Sequence, residues 1–138
     1  MLPKFHLITG FVFCFICYYF LNFPLFGVLL IFLANLLIDF DHYIFHIFRY
    51  NNFNLKYAYE WHKKLPKKHK SVFHIFHSLE FLMILYLLAL FNINFLYLLT
   101  GILFHSIFDL IQILYQENYC GRELSLINYI IKDKQYYL

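Results

Sequence analysis

Four apolar stretches separated by short polar segments dominate the chain between residues 3 and 116. Each stretch has roughly 19–25 residues, about the length that an α-helix needs to cross the ~30 Å hydrocarbon core of a bilayer. The pattern predicts four helices, at residues 3–21, 24–48, 71–91 and 95–116. Tight turns join the members of each pair, at Asn22–Pro24 and at Asn92–Asn94, and Pro24 suits the first turn of a helix.

A polar section, residues 49–70, separates the two pairs and carries a basic cluster from Lys63 to Lys70. Part of this section suits a short interfacial helix, and residues 125–132 of the tail suit a second one. No small-residue cleavage site follows the first stretch, so we expect a retained membrane helix rather than a signal peptide. The sequence thus predicts one all-α membrane domain, residues 1–138. It is a four-helix bundle with a basic cytoplasmic loop and a short amphipathic C-terminal tail.

Composition agrees with a membrane protein. The chain is 62% hydrophobic and 14% charged, whereas soluble domains carry about 25% charged residues.

All eleven lysines and arginines fall on one side of the predicted bundle, and the two turns on the other side carry no charge. The positive-inside rule then predicts a multi-pass inner-membrane protein with both termini in the cytoplasm. A net charge of +3 is too small to indicate nucleic-acid binding.

The three cysteines do not predict a set of paired disulfides. Cys14 and Cys17 lie inside the first apolar stretch, and Cys120 lies near the tail. An odd count with two members inside a membrane helix argues against paired disulfides. We interpret Cys14 and Cys17 as packing residues in preference to a metal pair.

Ionisable residues end the second apolar stretch, where Asp39, Asp41 and His42 are followed by His46. On a helix, Asp39, His42 and His46 fall within about 60° of one another, whereas Asp41 points elsewhere unless the helix unwinds. Carboxylates and imidazoles together ligate Zn, Mn or Fe. Because ionisable groups at membrane depth are costly, this cluster indicates a functional site.

Other ionisable residues lie at a matching depth. His105 and Asp109 are spaced i, i+4, and His74 and His77 are spaced i, i+3. Counted from the outer turns, four residues on four different helices lie about 14–15 positions inward, or roughly 21–23 Å: His6, Asp39, His77 and Asp109. A shared site accounts for this common layer. Glu80, one turn beyond His77, suits a ligand, a general base or a partner that orients an imidazole.

Four short motifs, in order along residues 6–109, resemble those of the YdjM-type family of small inner-membrane metal-dependent hydrolases. They are H-x3-G at 6–10, D-x-D-H at 39–42, the spacing of H-R-G-x-T-H-S at 69–75, and G-x3-H-x3-D at 101–109. This chain departs from the third motif with Lys70, Ser71, Phe73 and Ile75 in place of Arg, Gly, Thr and Ser. Since His77-Ser78 offers a second match, His74 and His77 both remain candidates for its final histidine. The resemblance implies hydrolysis of phosphoester-type substrates.

We therefore predict a membrane-embedded hydrolase that uses one or two divalent ions, Zn or Mn, and acts on a phosphoester or lipid-linked substrate at the cytoplasmic leaflet. The metal-ligand candidates are His6, Asp39, His42, His74, His77, His105 and Asp109. Asp41 and Glu80 are candidates for the general base, His69 is a catalytic candidate, and Lys70 is a candidate to bind the substrate phosphate. Membrane lipid is the expected partner. For the basic loop we favour an anchor on anionic headgroups, with which a role as an anion-attracting rim above the metal site is compatible.

Two alternatives remain open. One is a di-iron membrane oxidase, which the spacings of His42 with His46 and His74 with His77 would suit, although adjacent histidine pairs are absent from the sequence. The other is a non-enzymatic membrane protein with a structural metal or a haem between facing histidines.

Overall fold

The computed structural model describes residues 3–64, 72–115 and 122–135, and 82% of them lie in helices. This confirms the all-α prediction. The helices in this part of the chain are α1 (Pro3–Tyr19), α2 (Leu25–Leu37), α3 (Phe40–Tyr50), α4 (Leu55–Lys64), α5 (Leu79–Ala89), α6 (Ile93–Tyr115) and α7 (Leu126–Gln135). A 3-10 turn (Ile75–His77) precedes α5, and two-residue strands β1 (Val72–Phe73) and β2 (Arg122–Glu123) pair in parallel.

Helix α2 packs against both α1 and α6, and α5 packs against α6. The apolar core has two parts. Cys14, Cys17, Val28 and Ile31 bury against one another between α1 and α2. Ala34, Ile38, Leu85, Leu99 and Ile102 form the second cluster, among α2, α5 and α6. Both cysteines are free thiols within the first cluster, as expected of packing residues.

Two glycines allow α1 and α6 to lie close to α2. A Cβ atom on Gly101 would lie 2.3 Å from the carbonyl oxygen of Ile31, which is a backbone atom. A Cβ atom on Gly10 would lie 2.2 Å from the side-chain nitrogen of Asn35. Any larger residue at Gly101 would therefore push α6 away from α2.

The predicted second helix, residues 24–48, is interrupted in the structure. Helix α2 ends at Leu37 and α3 begins at Phe40. At the junction the backbone turns more tightly, because the Asp41 N–H donates to the Ile38 carbonyl and the His42 N–H donates to the Asp39 carbonyl. This bend brings Asp41 to the same region as Asp39, which a continuous helix would have prevented.

The predicted third helix, residues 71–91, begins later than expected. Helix α5 starts at Leu79, and the Ser78 hydroxyl caps it by accepting from the Phe81 N–H at 3.2 Å. Residues before it leave the helical path because the Phe76 N–H donates to Asp41 and the Leu79 N–H donates to the Leu124 carbonyl. Ser71, the expected cap, lies outside the described residues.

The remaining boundaries differ by a few residues. The first helix ends at Tyr19 instead of residue 21, and the fourth begins at Ile93 instead of residue 95. The fourth helix continues to Tyr115, the last residue described before the gap, so its predicted end at residue 116 lies outside the described residues. The short helices expected in the polar section and in the tail are α4 and α7.

Within the described residues, two helical stretches are long and apolar enough to cross a membrane: Leu25–Tyr50, which includes the bend, and Ile93–Ile111. Helices α1 and α5 are apolar but shorter. Length and composition thus give weak support for membrane association, and the four-span bundle stays a prediction.

Candidate metal site

Four ionisable residues converge from three parts of the chain: Asp39 at the bend, His77 in the 3-10 turn, and His105 and Asp109 on α6. One ligand atom from each lies within 4.8 Å of the others. We call this set the four-residue group. Three of its members are buried, and Asp39 is partly exposed. The group combines two imidazoles with two carboxylates, a donor set that Zn and Mn accept.

Distances within the four-residue group suit a single ion. His105 Nε2 lies 3.3 Å from Asp39 Oδ1 and 3.6 Å from Asp109 Oδ2. His77 Nε2 lies 3.9 Å and 3.7 Å from the same two oxygens. When an ion is coordinated tetrahedrally with metal–ligand distances of about 2.0–2.2 Å, its donor atoms lie roughly 3.3–3.6 Å from one another. Small side-chain adjustments would therefore bring all four atoms into ligand positions.

Each histidine of the group has a partner at Nδ1, the ring nitrogen that faces away from the carboxylates of Asp39 and Asp109. His105 Nδ1 donates to the backbone carbonyl of Asn35 at 2.8 Å, which leaves Nε2 facing the carboxylates. His77 Nδ1 lies 3.1 Å from Asp41 Oδ2, and the same oxygen accepts the Phe76 N–H at 3.0 Å. Carbonyl and carboxylate partners of this kind fix the tautomer and the ring orientation of metal-binding histidines. Asp41, predicted as a general base, thus contacts a ligand candidate directly.

A three-residue group adjoins the first and consists of Asp41, His42 and His74. Asp41 Oδ1 lies 3.8 Å from His74 Nδ1 and 4.0 Å from His42 Nε2. The groups meet at Asp39, whose Oδ1 is 3.5 Å from His42 Nε2. The structure thus places His74 and His77 in adjoining groups, so each has a position in the site.

His6 lies beside the four-residue group without belonging to it. Its Nε2 is 3.1 Å from Asp109 Oδ1, and its ring stacks on His105 with centroids 3.8 Å apart. Helix α1 brings it there because the Asn35 side chain donates to the His6 carbonyl at 3.0 Å. His6, predicted as a ligand, is therefore placed to support two ligand candidates.

Some predicted site residues lie elsewhere. Glu80 belongs to neither group, because its Oε1 accepts from the Ser125 hydroxyl at 2.7 Å and from the Leu126 N–H at 3.0 Å. His46 is buried, with its ring against Tyr50 and Tyr57. His69 and Lys70 lie outside the described residues.

Exposure differs among the described residues of the two groups. The side chains of Asp39 and His42 are 30% and 27% exposed, whereas those of Asp41, His77, His105 and Asp109 are at most 7% exposed. A small molecule would therefore reach the two groups past Asp39 and His42.

Asn35 is the residue that our sequence interpretation did not include. Its carbonyl orients His105 and its amide holds α1, so it joins three helices. A side-chain amide inside the apolar run of residues 24–38 was the available signal, since polar groups at that depth need partners.

Comparison of the chain with family models, curated proteins and solved structures finds no match.

Proposed function

We propose that this chain is a membrane-embedded, metal-dependent hydrolase that acts on a phosphoester or lipid-linked substrate at the cytoplasmic leaflet. The four-residue group carries the proposal, because two carboxylates and two imidazoles converge there within 4.8 Å and are mostly buried. Such a concentration of ionisable side chains is costly among apolar helices unless a cation neutralises it. The motif resemblance to the YdjM-type family points in the same direction.

A divalent ion, Zn or Mn, would be held by Asp39, His77, His105 and Asp109, and the three-residue group can hold a second. When bound, such an ion supplies Lewis-acid activation of water and of the scissile phosphoryl or ester group. The protein's own residues do the positioning. Asn35 and Asp41 orient the two imidazoles, and His6 supports Asp109.

Substrate would approach past Asp39 and His42, the exposed members of the two groups. The basic cluster between Lys63 and Lys70 would attract an anionic substrate, with Lys70 and His69 as the candidates to meet its phosphate. A general-base role for Asp41 and a catalytic role for His69 stay predictions.

Membrane placement is part of the same proposal. Helices α1, α2 with α3, α5 and α6 would form four spans, with both termini and the basic loop in the cytoplasm. Helix α5 has 11 residues, about 16 Å, so the preceding segment would also lie at membrane depth. Non-helical backbone is tolerated there when it is buried in protein, and His74, His77 and Ser78 are all buried.

The haem alternative fits the contacts less well. The His6 and His105 rings stack with centroids 3.8 Å apart, and the His42 and His74 centroids lie 3.7 Å apart, so the rings of each pair are in contact and leave no space for a macrocycle between them. The di-iron alternative differs from our proposal in the metal that the site would contain, and elemental analysis of purified protein separates the two.

The test uses Asp39→Ala and His105→Ala, each of which removes one donor atom. We expect both variants to lose bound metal and to lose hydrolysis of a phosphodiester reporter such as bis(p-nitrophenyl) phosphate or of a labelled phospholipid. Ser106→Ala is the matched control, because Ser106 follows His105 on α6 and belongs to neither group. Metal content, thermal stability and hydrolysis are measured on the same preparations. If Asp39→Ala keeps its metal and loses only stability, the proposal fails.

A further inference from the structure

The chain after residue 121 contacts the segment that carries His74 and His77 on both of its flanks. Before the histidines, β1 pairs with β2, with Val72 opposite Arg122 and Phe73 opposite Glu123. After them, the Leu79 N–H donates to the Leu124 carbonyl at 2.9 Å. These contacts hold the two ends of the segment against the same short stretch of chain.

Glu80 adds a side-chain contact to this arrangement. Its Oε1 accepts from the Ser125 hydroxyl at 2.7 Å and from the Leu126 N–H at 3.0 Å, at the first turn of α7. One carboxylate oxygen therefore joins the start of α5 to the start of α7, where unpaired N–H groups favour an anion. One turn later, the Tyr129 ring stacks on Phe73, with centroids 5.7 Å apart.

The segment between these contacts has little regular structure of its own. His74 is extended, and Ile75–His77 make a single 3-10 turn closed by the His77 and Ser78 N–H groups. Asp41 holds it by accepting the Phe76 N–H and contacting His77. The C-terminal contacts hold it at its two ends.

We propose that residues 122–131 form a positioning clamp that holds His74 and His77 in the metal site, with Glu80 as the positioning residue. The clamp rests on the proposed function, because its purpose is to keep the two imidazoles at ligand distance from Asp39, Asp41 and Asp109. Glu80 acts through the histidine segment and does not touch the metal groups.

Glu80→Ala removes the acceptor for Ser125 and Leu126, whereas Glu80→Gln keeps an oxygen at the same place. In the full-length protein we expect Glu80→Ala to bind Mn²⁺ or Zn²⁺ about 10-fold more weakly, the low end of the loss that follows removal of a direct partner of a metal ligand, because Glu80 acts one contact further from the metal. Glu80→Gln should restore most of the affinity. Asn92→Ala is the control, because Asn92 caps α6 through the Asn94 N–H, beyond the opposite end of α5.

Hydrogen exchange of the amides of residues 76–79 provides a readout that does not require metal. Exchange should be faster in Glu80→Ala than in wild type and unchanged in Glu80→Gln and Asn92→Ala. Unchanged exchange in Glu80→Ala would refute the clamp, and so would wild-type metal affinity in that variant. Equal weakening by Asn92→Ala would also refute it, since the effect would then be general destabilisation. If wild-type protein binds no metal, the proposed function fails, and the exchange rates still decide whether the clamp exists.

Discussion

His6 contacts two members of the four-residue group from outside it, through a ring and through a ring nitrogen. The ring stacks on His105, and Nε2 lies 3.1 Å from Asp109 Oδ1. A phenyl ring can keep the stacking but offers no nitrogen to Asp109. Substitution by phenylalanine therefore separates packing from support of the carboxylate.

We predict that His6→Phe binds metal roughly 10- to 100-fold more weakly than wild type while keeping one ion per site at saturation. The measurement is a competition titration with a chelator of known affinity, with elemental analysis of the saturated protein. If His6 were itself a ligand, as the sequence first suggested, the saturated variant would contain less metal.

The residues of the site were predictable where ionisable side chains interrupt apolar sequence. Asp39, His77, His105 and Asp109 were all candidates, and the structure brings them into one group. Asn35 was missed because its main contribution to the site is a backbone carbonyl. Every residue has one, so the sequence does not indicate which carbonyl contacts His105. Glu80 was placed on the site by spacing along a helix that in fact starts only one residue earlier, at Leu79.

At the scale of whole helices, the packing of α6 against α2 depends on Gly101, one turn before His105. A methyl group there would meet the Ile31 carbonyl, which cannot rotate away. At Gly27 a methyl group would meet the Tyr97 ring at 2.7 Å, and a side chain can move.

Gly101→Ala should therefore destabilise the protein by about 1–3 kcal/mol and weaken metal binding, because α6 carries two of the four ligand candidates. Gly27→Ala, the matched control, should cost less. Thermal unfolding in detergent, followed by circular dichroism, gives the comparison. Equal losses of stability in the two variants would contradict the prediction, because contact with a backbone atom would then cost no more than contact with a side chain that can move.

Helix boundaries were least predictable where tertiary contacts replace helical hydrogen bonds. No glycine or proline marks the bend at Ile38–Asp39, so the apolar pattern continues through it. Similarly, Phe76 and Leu79 donate to Asp41 and Leu124, partners that are distant in sequence. Ser78 followed by Glu80 was a usable start signal for α5, since a capping residue and an early acidic residue favour a helix N-terminus.

For the molecule as a whole, the orientation in the membrane is the property that the charges predict most directly. Reporter fusions after Leu21 and Phe91 should read as external, and a fusion at Pro66 should read as cytoplasmic, because no lysine or arginine lies in either short turn. Activity of paired alkaline phosphatase and fluorescent-protein fusions provides the measurement. An external signal at Pro66 would reverse the orientation and place the site at the other leaflet.

The end of α2 at the bend has an electrostatic consequence. Asn35 is one of the last four residues of that helix, whose carbonyls have no partner within the helix, and its carbonyl accepts instead from His105 Nδ1. With its proton on Nδ1, a neutral His105 presents the lone pair of Nε2 to the carboxylates of Asp39 and Asp109. The two carboxylates give the four-residue group a charge of −2 when both imidazoles are neutral, which one divalent ion would cancel and one monovalent ion would only halve. The point at which the main chain stops being helical therefore decides which nitrogen of His105 faces that charge.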